Sequence, residues 1–182
     1  MKDLAAALRS LKERFDREGI PFAVIGAMAV RRHGHMRFTE DIDLLTTKEG
    51  LEKIHAQFGG RGINPRAAGL RKKLYESEHE VNLDVITAGE PAGGAGSPVV
   101  YPDPTGEGFT PFDGVRYPTL EKLIEFKLAS HLWGNRLQDL ADVIHLVKAN
   151  RLAAGFGEKL HPAVRAKFTE AVGMAARERD IE

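Results

Sequence analysis

The run TEDIDLL, residues 39–45, is the strongest constraint on how this chain folds. Side chains alternate between the two faces of a strand. Ile42 and Leu44 therefore share one face, and Asp41 and Asp43 share the other, roughly 7 Å apart at their Cα atoms. The apolar pair calls for a core behind the strand. The acidic pair crowds two like charges that repel each other and gain nothing from burial. A second run, VNLDVIT at 81–87, repeats the pattern, with Leu83 and Val85 on one face and Asn82 and Asp84 on the other. Laid beside the first strand, it brings Asp84 to face the Asp41–Asp43 pair. Three carboxylates converging on one sheet face need cations to coexist, and hard oxygen donors suit Mg²⁺ or Mn²⁺. Taken alone, an Asp-x-Asp pair more often marks a solvated strand face or the cap of a turn.

The elements around these strands set the fold class. Leu4, Ala7, Leu8, Leu11 and Phe15 recur at helical spacing and predict an amphipathic first helix ending near Gly19. A strand follows over 22–25, Gly26 breaks it, and a short helix runs over 27–32. After the acidic strand come a helix over about 48–58 and a loop marked by Gly59, Gly60, Gly62 and Pro65. Strand-like runs occupy 71–77 and 81–87, and 99–101 and 114–117 are short extended candidates among prolines. The low-complexity stretch GEPAGGAGSP, 89–98, reads as a mobile loop. From Thr119 the chain turns helical, over roughly 119–132, 137–149 and 158–178. The order predicts an α+β fold, a small mixed sheet flanked by helices and followed by a helical C-terminal part. The division is a core at 1–118 and a helical region at 119–182 packed on it as one unit.

The upstream context gives the acidic strand its meaning. A strand, Gly26, a short helix and then an acidic strand form a phosphate-and-metal layout, since glycine permits close backbone approach and helix amides face an anion. Ile25, Gly26, Ala27, Asp41, Ile42 and Asp43, with Asp84 as third acid, resemble the signature of the DNA polymerase β nucleotidyltransferase superfamily. Gly26, Ala29, Arg37, Thr39, Asp41, Ile42, Asp43 and Leu44 further resemble the motif run of small bacterial nucleotidyltransferases, including AbiEii-like toxin enzymes. The resemblance extends more loosely over residues 4–148. It implies the nucleotidyltransferase fold and transfer of a nucleoside monophosphate from an NTP, ATP among them, to an acceptor hydroxyl. Asp41, Asp43 and Asp84 are the implied metal ligands and catalytic residues. Gly26, Ala27, Arg37, Thr39, Lys127, Arg136 and Asp139 are the implied nucleotide contacts. Position 27 is Ala where active members usually carry Gly or Ser, so a backbone amide is kept and a hydroxyl is not.

In the helix after Thr119, Lys127 falls within the apolar stripe of Leu120, Leu123, Ile124 and Leu128. Such a charge either reaches a polar partner, a nucleotide phosphate among them, or snorkels its ammonium to water. Arg136 and Asp139 are read as contacting nucleotide or as pairing with Lys127, and Asp142 as an acid complementing the helix dipole. Trp133 reads as core. The basic run Arg61, Arg66, Arg71, Lys72 and Lys73 is a solvated face, or one that meets an RNA acceptor.

Composition narrows the partners. Lys plus Arg and Asp plus Glu are both 26 in 182 residues, so the basic excess of a nonspecific nucleic-acid coat is missing. There is no cysteine, which excludes thiolate metal sites and fits a cytoplasmic setting. Charges interrupt the apolar residues of 1–15, unlike a signal peptide, and no apolar run approaches membrane-spanning length. The expected partners are an NTP, an acceptor (protein, tRNA or small molecule) and a cognate antitoxin or toxin, with no membrane. Two rival readings are a nucleotidyltransferase-like binding or toxin–antitoxin component with little turnover, favoured by Ala27 and Gln138, and an antibiotic-modifying enzyme. The latter needs an acidic pocket for a cationic drug, and the sequence shows none.

Overall fold

In the computed structural model, which describes residues 3–179, the acidic strands form the middle of a seven-stranded sheet. Residues 1–2 and 180–182, the ends of the two expected regions, lie outside the described residues. The strands are β1 (Phe22–Val24), β2 (Asp41–Thr46), β3 (Ile63–Pro65), β4 (Lys73–Glu76), β5 (Val81–Thr87), β6 (Phe109–Phe112) and β7 (Val115–Pro118). Their order is β3-β4-β5-β2-β1-β7-β6. β2 pairs parallel with β5 and antiparallel with β1, so the sheet is mixed. The helices are α1 (Leu4–Arg17), α2 (Gly26–Arg32), α3 (Lys48–Phe58), α4 (Leu120–Gly134), α5 (Leu137–Asn150) and α6 (Pro162–Arg179), with a 3₁₀ turn at Ala154–Lys159.

The chain divides into two compact units. The first holds residues through Ala29, Phe38–Gly89 and Pro102–Pro118; the second holds Val30–Arg37, Glu90–Tyr101 and everything from Thr119. In the first unit, the alternation of β2 and β5 puts Ile42, Leu44, Leu83 and Val85 in the core, all less than 5% exposed. α1 buries Leu4, Ala7, Leu8, Leu11 and Phe15, and Phe15 meets Phe22 of β1 edge to face. α3 adds Leu51 and Ile54, with Thr47 capping its first turn through the Gly50 amide.

Three segments depart from the sequence expectation. Ile63–Pro65, read as part of a loop, is the short strand β3 and pairs antiparallel with β4. β6 is a strand despite Pro111, because it is the sheet edge and pairs only with β7. The two are joined by Asp113–Gly114, both at positive φ, the two-residue turn that matches strand twist. In the second unit, the stretch read as a mobile loop is a folded turn on α4. The Gly93 backbone sits so close to α4 that a Cβ would lie 2.3 Å from the Ala129 carbonyl oxygen. Ala92, Ser97 and Val99 are buried there. Gly93 thus serves close packing, whereas Gly89, Gly94 and Gly96 face open space and supply the positive φ of the turns.

Candidate active site

Register decides which acids meet. β2 and β5 pair with Asp41 opposite Asn82 and Asp43 opposite Asp84. β4 continues both rows, with Tyr75 opposite Asn82 and Lys73 opposite Asp84. Laterally paired residues project to the same face, so one row reads Lys73–Asp84–Asp43 and the next reads Tyr75–Asn82–Asp41. All three carboxylates thus stand on one sheet face, on adjoining strands, each half-buried, with Ile42, Leu44, Leu83 and Val85 buried on the opposite face.

Each carboxylate has a defined setting. Asp41 Oδ1 accepts from Asn82 Nδ2 at 3.0 Å. Thr39 caps the start of β2: its hydroxyl donates to the Asp41 carbonyl at 3.1 Å and accepts from the Asp41 amide at 3.3 Å. Asp84 is clamped by two cations, Arg66 Nη2 on Oδ1 and Lys73 Nζ on Oδ2, both at 2.5 Å. Asp43 lies against Gly26. The Ile25 amide donates to the Asp43 carbonyl at 2.9 Å, tying the end of β1 to β2 where α2 begins. At Gly26, φ is +64°, and a Cβ would sit 1.8 Å from Asp43 Oδ2. The absent side chain at position 26 is therefore space that the Asp43 carboxylate occupies. Ala27 is buried, so its methyl belongs to the packing.

This donor set fits a divalent cation by its chemistry. It consists of carboxylate oxygens from neighbouring strand positions, with Gly26 leaving room for one of them. The third acid is already balanced by Arg66 and Lys73, which a cation at Asp84 must displace.

The other expected nucleotide contacts lie in the second unit, where they bond to one another. Lys127 is 7% exposed, and its ammonium donates to Asp139 Oδ1 at 2.6 Å and meets Asp142 Oδ2 at 2.8 Å. Arg136 Nε reaches Asp139 Oδ2 at 3.2 Å, and Arg37 pairs with Asp142. Lys127 therefore pairs with Asp139 and does not snorkel. Asp142, read from sequence as a dipole complement, is instead a fully buried anion shared by Arg37 and Lys127, five residues into α5. Its importance shows in the sequence only as an acid within an apolar helix stripe.

Among the described residues, the three donors that come within 4.8 Å of one another are those of Glu76, Glu78 and His79, a set a divalent cation could use. The fully buried Glu76 carboxylate is nonetheless occupied. Oε1 accepts from Arg14 and the Glu78 amide, and Oε2 accepts from the His79 amide and ring. This arrangement closes the β4–β5 turn, and sequence reasoning passed over it. Burial would raise the Glu76 pKa, but the His79 amide and ring, with the Glu78 amide, outweigh it and hold the group below its ordinary 4.5. A lowered folded-state value means the contribution is complete above the unfolded value and is lost as pH falls through the folded one. Urea midpoints taken from neutral to acid pH should fall more steeply for the wild type than for Glu76→Gln. Parallel curves would disprove the assignment.

No family model and no curated protein matches this sequence. Solved structures do. The crystal structure of ANT(2″)-Ia in complex with adenylyl-2″-tobramycin superposes with a TM-score of 0.57 at 17% identity, over 91% of this chain and 96% of that one. The solution structure of the antibiotic-resistance factor ANT(2″)-Ia matches at the same TM-score and identity over the whole of both chains. The chain has the nucleotidyltransferase fold. At this identity the likeness speaks for the nucleotidyltransferase architecture alone, and the chemistry rests on the residues above. No helix among the described residues is long and apolar enough to cross a membrane.

Proposed function

We propose that this chain transfers a nucleoside monophosphate from an NTP to an acceptor hydroxyl, with release of pyrophosphate. The observation that carries the reading is the register of β2 on β5, which sets Asp43 beside Asp84 with Asp41 two residues along the same face. Asp41, Asp43 and Asp84 would hold Mg²⁺ or Mn²⁺, which when bound supplies positive charge against the triphosphate. Gly26 and Ala27, where α2 begins, are the phosphate-side backbone. Asp84 would take the proton of the acceptor hydroxyl as its oxygen bonds to the α-phosphorus and the bond to pyrophosphate breaks. Thr39 holds the start of β2 and so the direction of Asp41. In the second unit, Arg37, Lys127, Arg136 and Asp139 act through the network they form with Asp142.

A cationic antibiotic acceptor is disfavoured by Arg66 and Lys73 beside Asp84. The same pair favours a second reading, in which the chain binds nucleotide with little turnover, as a toxin–antitoxin component of the AbiEii-like kind in a cytoplasmic setting. Transfer of label from each of four α-³²P nucleotides, with Mg²⁺ or Mn²⁺, separates the two. Asp43→Asn should lower transfer by on the order of a hundredfold or more, the scale of losing a cation's transition-state stabilisation. Equal background from wild type and variant, with nucleotide binding retained in calorimetry, would leave only the binding reading.

A further inference from the structure

The counterions of Asp84 come from one hairpin. Lys73 is its register partner on β4, and Arg66 follows β3, its amide donating to the Lys73 carbonyl at 2.9 Å. Each takes a separate oxygen of the one carboxylate, and their side chains remain 30% and 49% exposed for Arg66 and Lys73. Two positive charges thus share one negative charge. Arg71, on the same hairpin connection, donates instead to both oxygens of a different carboxylate, Glu52.

We propose that Arg66 and Lys73 form an oxyanion subsite that Asp84 holds shut, so that a divalent cation at Asp84 and an oxyanion at Arg66 and Lys73 bind with positive coupling. The proposal rests on the reading of Asp41, Asp43 and Asp84 as a cation site. A divalent cation competes with both side chains for the same two oxygens. Once it binds, two neighbouring cations held by the hairpin lose their counterion while still open to solvent. A tetrahedral oxyanion of the phosphate type satisfies both, since it presents several acceptor oxygens to guanidinium and ammonium donors. By linkage, the oxyanion then strengthens cation binding by the same factor. The oxyanion is a phosphate either of the nucleotide or of the acceptor.

Mn²⁺ binding followed by electron paramagnetic resonance tests this without turnover. In the absence of phosphate, Arg66→Gln and Lys73→Gln should each tighten Mn²⁺ binding by about two- to fivefold, the scale of one exposed ion pair. Arg71→Gln, the same charge change on the same connection, should alter it less. Inorganic phosphate should tighten Mn²⁺ binding severalfold in the wild type and leave the Arg66→Gln/Lys73→Gln variant unchanged. Equal response to phosphate in both proteins, or an Arg71→Gln effect matching the other two, overturns the proposal. With a non-hydrolysable NTP already bound, a surviving phosphate effect assigns the subsite to the acceptor, and a vanished one to the nucleotide. Asp43→Asn keeps the failures apart. If it binds Mn²⁺ as the wild type does, the carboxylate site falls and the subsite with it. If it loses Mn²⁺ while phosphate leaves wild-type affinity unmoved, only the subsite falls.

Discussion

Alanine at position 26 should abolish Mn²⁺ binding and cut nucleotidyl transfer as deeply as loss of Asp43 itself. Two effects combine. The backbone there has φ +64°, which costs a side chain about 1–2 kcal/mol. The larger effect is steric. A Cβ would lie 1.8 Å from Asp43 Oδ2, 2.5 Å from its Cγ and 2.8 Å from its Cβ. The last distance matters most, because a tip can rotate away but a Cβ is fixed to the strand. Asp43 must swing its whole side chain off the site, or β2 must shift against β1. Asparagine separates the causes, since it tolerates left-handed backbone better than alanine and clashes at least as badly. Gly26→Asn should therefore fail in Mn²⁺ binding as Gly26→Ala does, while losing less stability to backbone strain in urea titrations. A Gly26→Ala protein that folds and binds Mn²⁺ like the wild type would show that the Asp43 carboxylate belongs elsewhere.

The acids could be read from sequence because strand alternation is a local rule: Ile42 and Leu44 commit Asp41 and Asp43 to the other face, and Leu83 and Val85 commit Asp84. Hydrophobic burial then fixes register, because a slip of one residue would bury every one of those charges. The nucleotidyltransferase fold was legible only through the family resemblance carried by Ile25, Gly26, Ala27 and the acidic strand; alternation and helical spacing by themselves gave no more than an α+β sheet flanked by helices. The partners of the acids were not legible. Arg37 meets Asp142 across 105 residues of chain, and no spacing rule reaches that far. The clamp on Asp84 was half visible, as a basic run, but which members turn inward depends on the β3–β4 hairpin. That hairpin was hidden because Gly59, Gly60, Gly62 and Pro65 mask a three-residue strand. β6 was hidden by Pro111, although Asp113–Gly114 is a strong hairpin signal that could have revealed it. Gly93 misled for a different reason. Composition cannot distinguish a glycine that moves from one pressed against the Ala129 carbonyl.

Lys127→Met should be the most destabilising of the single substitutions considered, by about 3–5 kcal/mol, the scale for stripping one partner from buried charges. Methionine keeps most of the apolar stem, so the loss reports on the ammonium. Asp139 and Asp142 are 1% and 0% exposed, and water cannot take over for them. Arg136 and Arg37 soften the loss unequally. Arg136, whose side chain is 64% exposed, bonds Asp139 from the rim, whereas the Arg37 side chain is 24% exposed beside Asp142. Asp139 is therefore the worse stranded of the two. Adding Asp139→Asn to Lys127→Met should recover more stability than adding Asp142→Asn, which frees Arg37 of its counterion as well. Arg136→Gln, which removes an exposed guanidinium while Lys127 still holds Asp139, should cost no more than about 1 kcal/mol. The measurement is a set of urea midpoints for the single and double variants. Lys127→Met within about 1 kcal/mol of the wild type would mean that the ammonium spends its time elsewhere. Its expected role at a nucleotide phosphate would then regain ground over the role of holding α4 to α5 through two buried carboxylates.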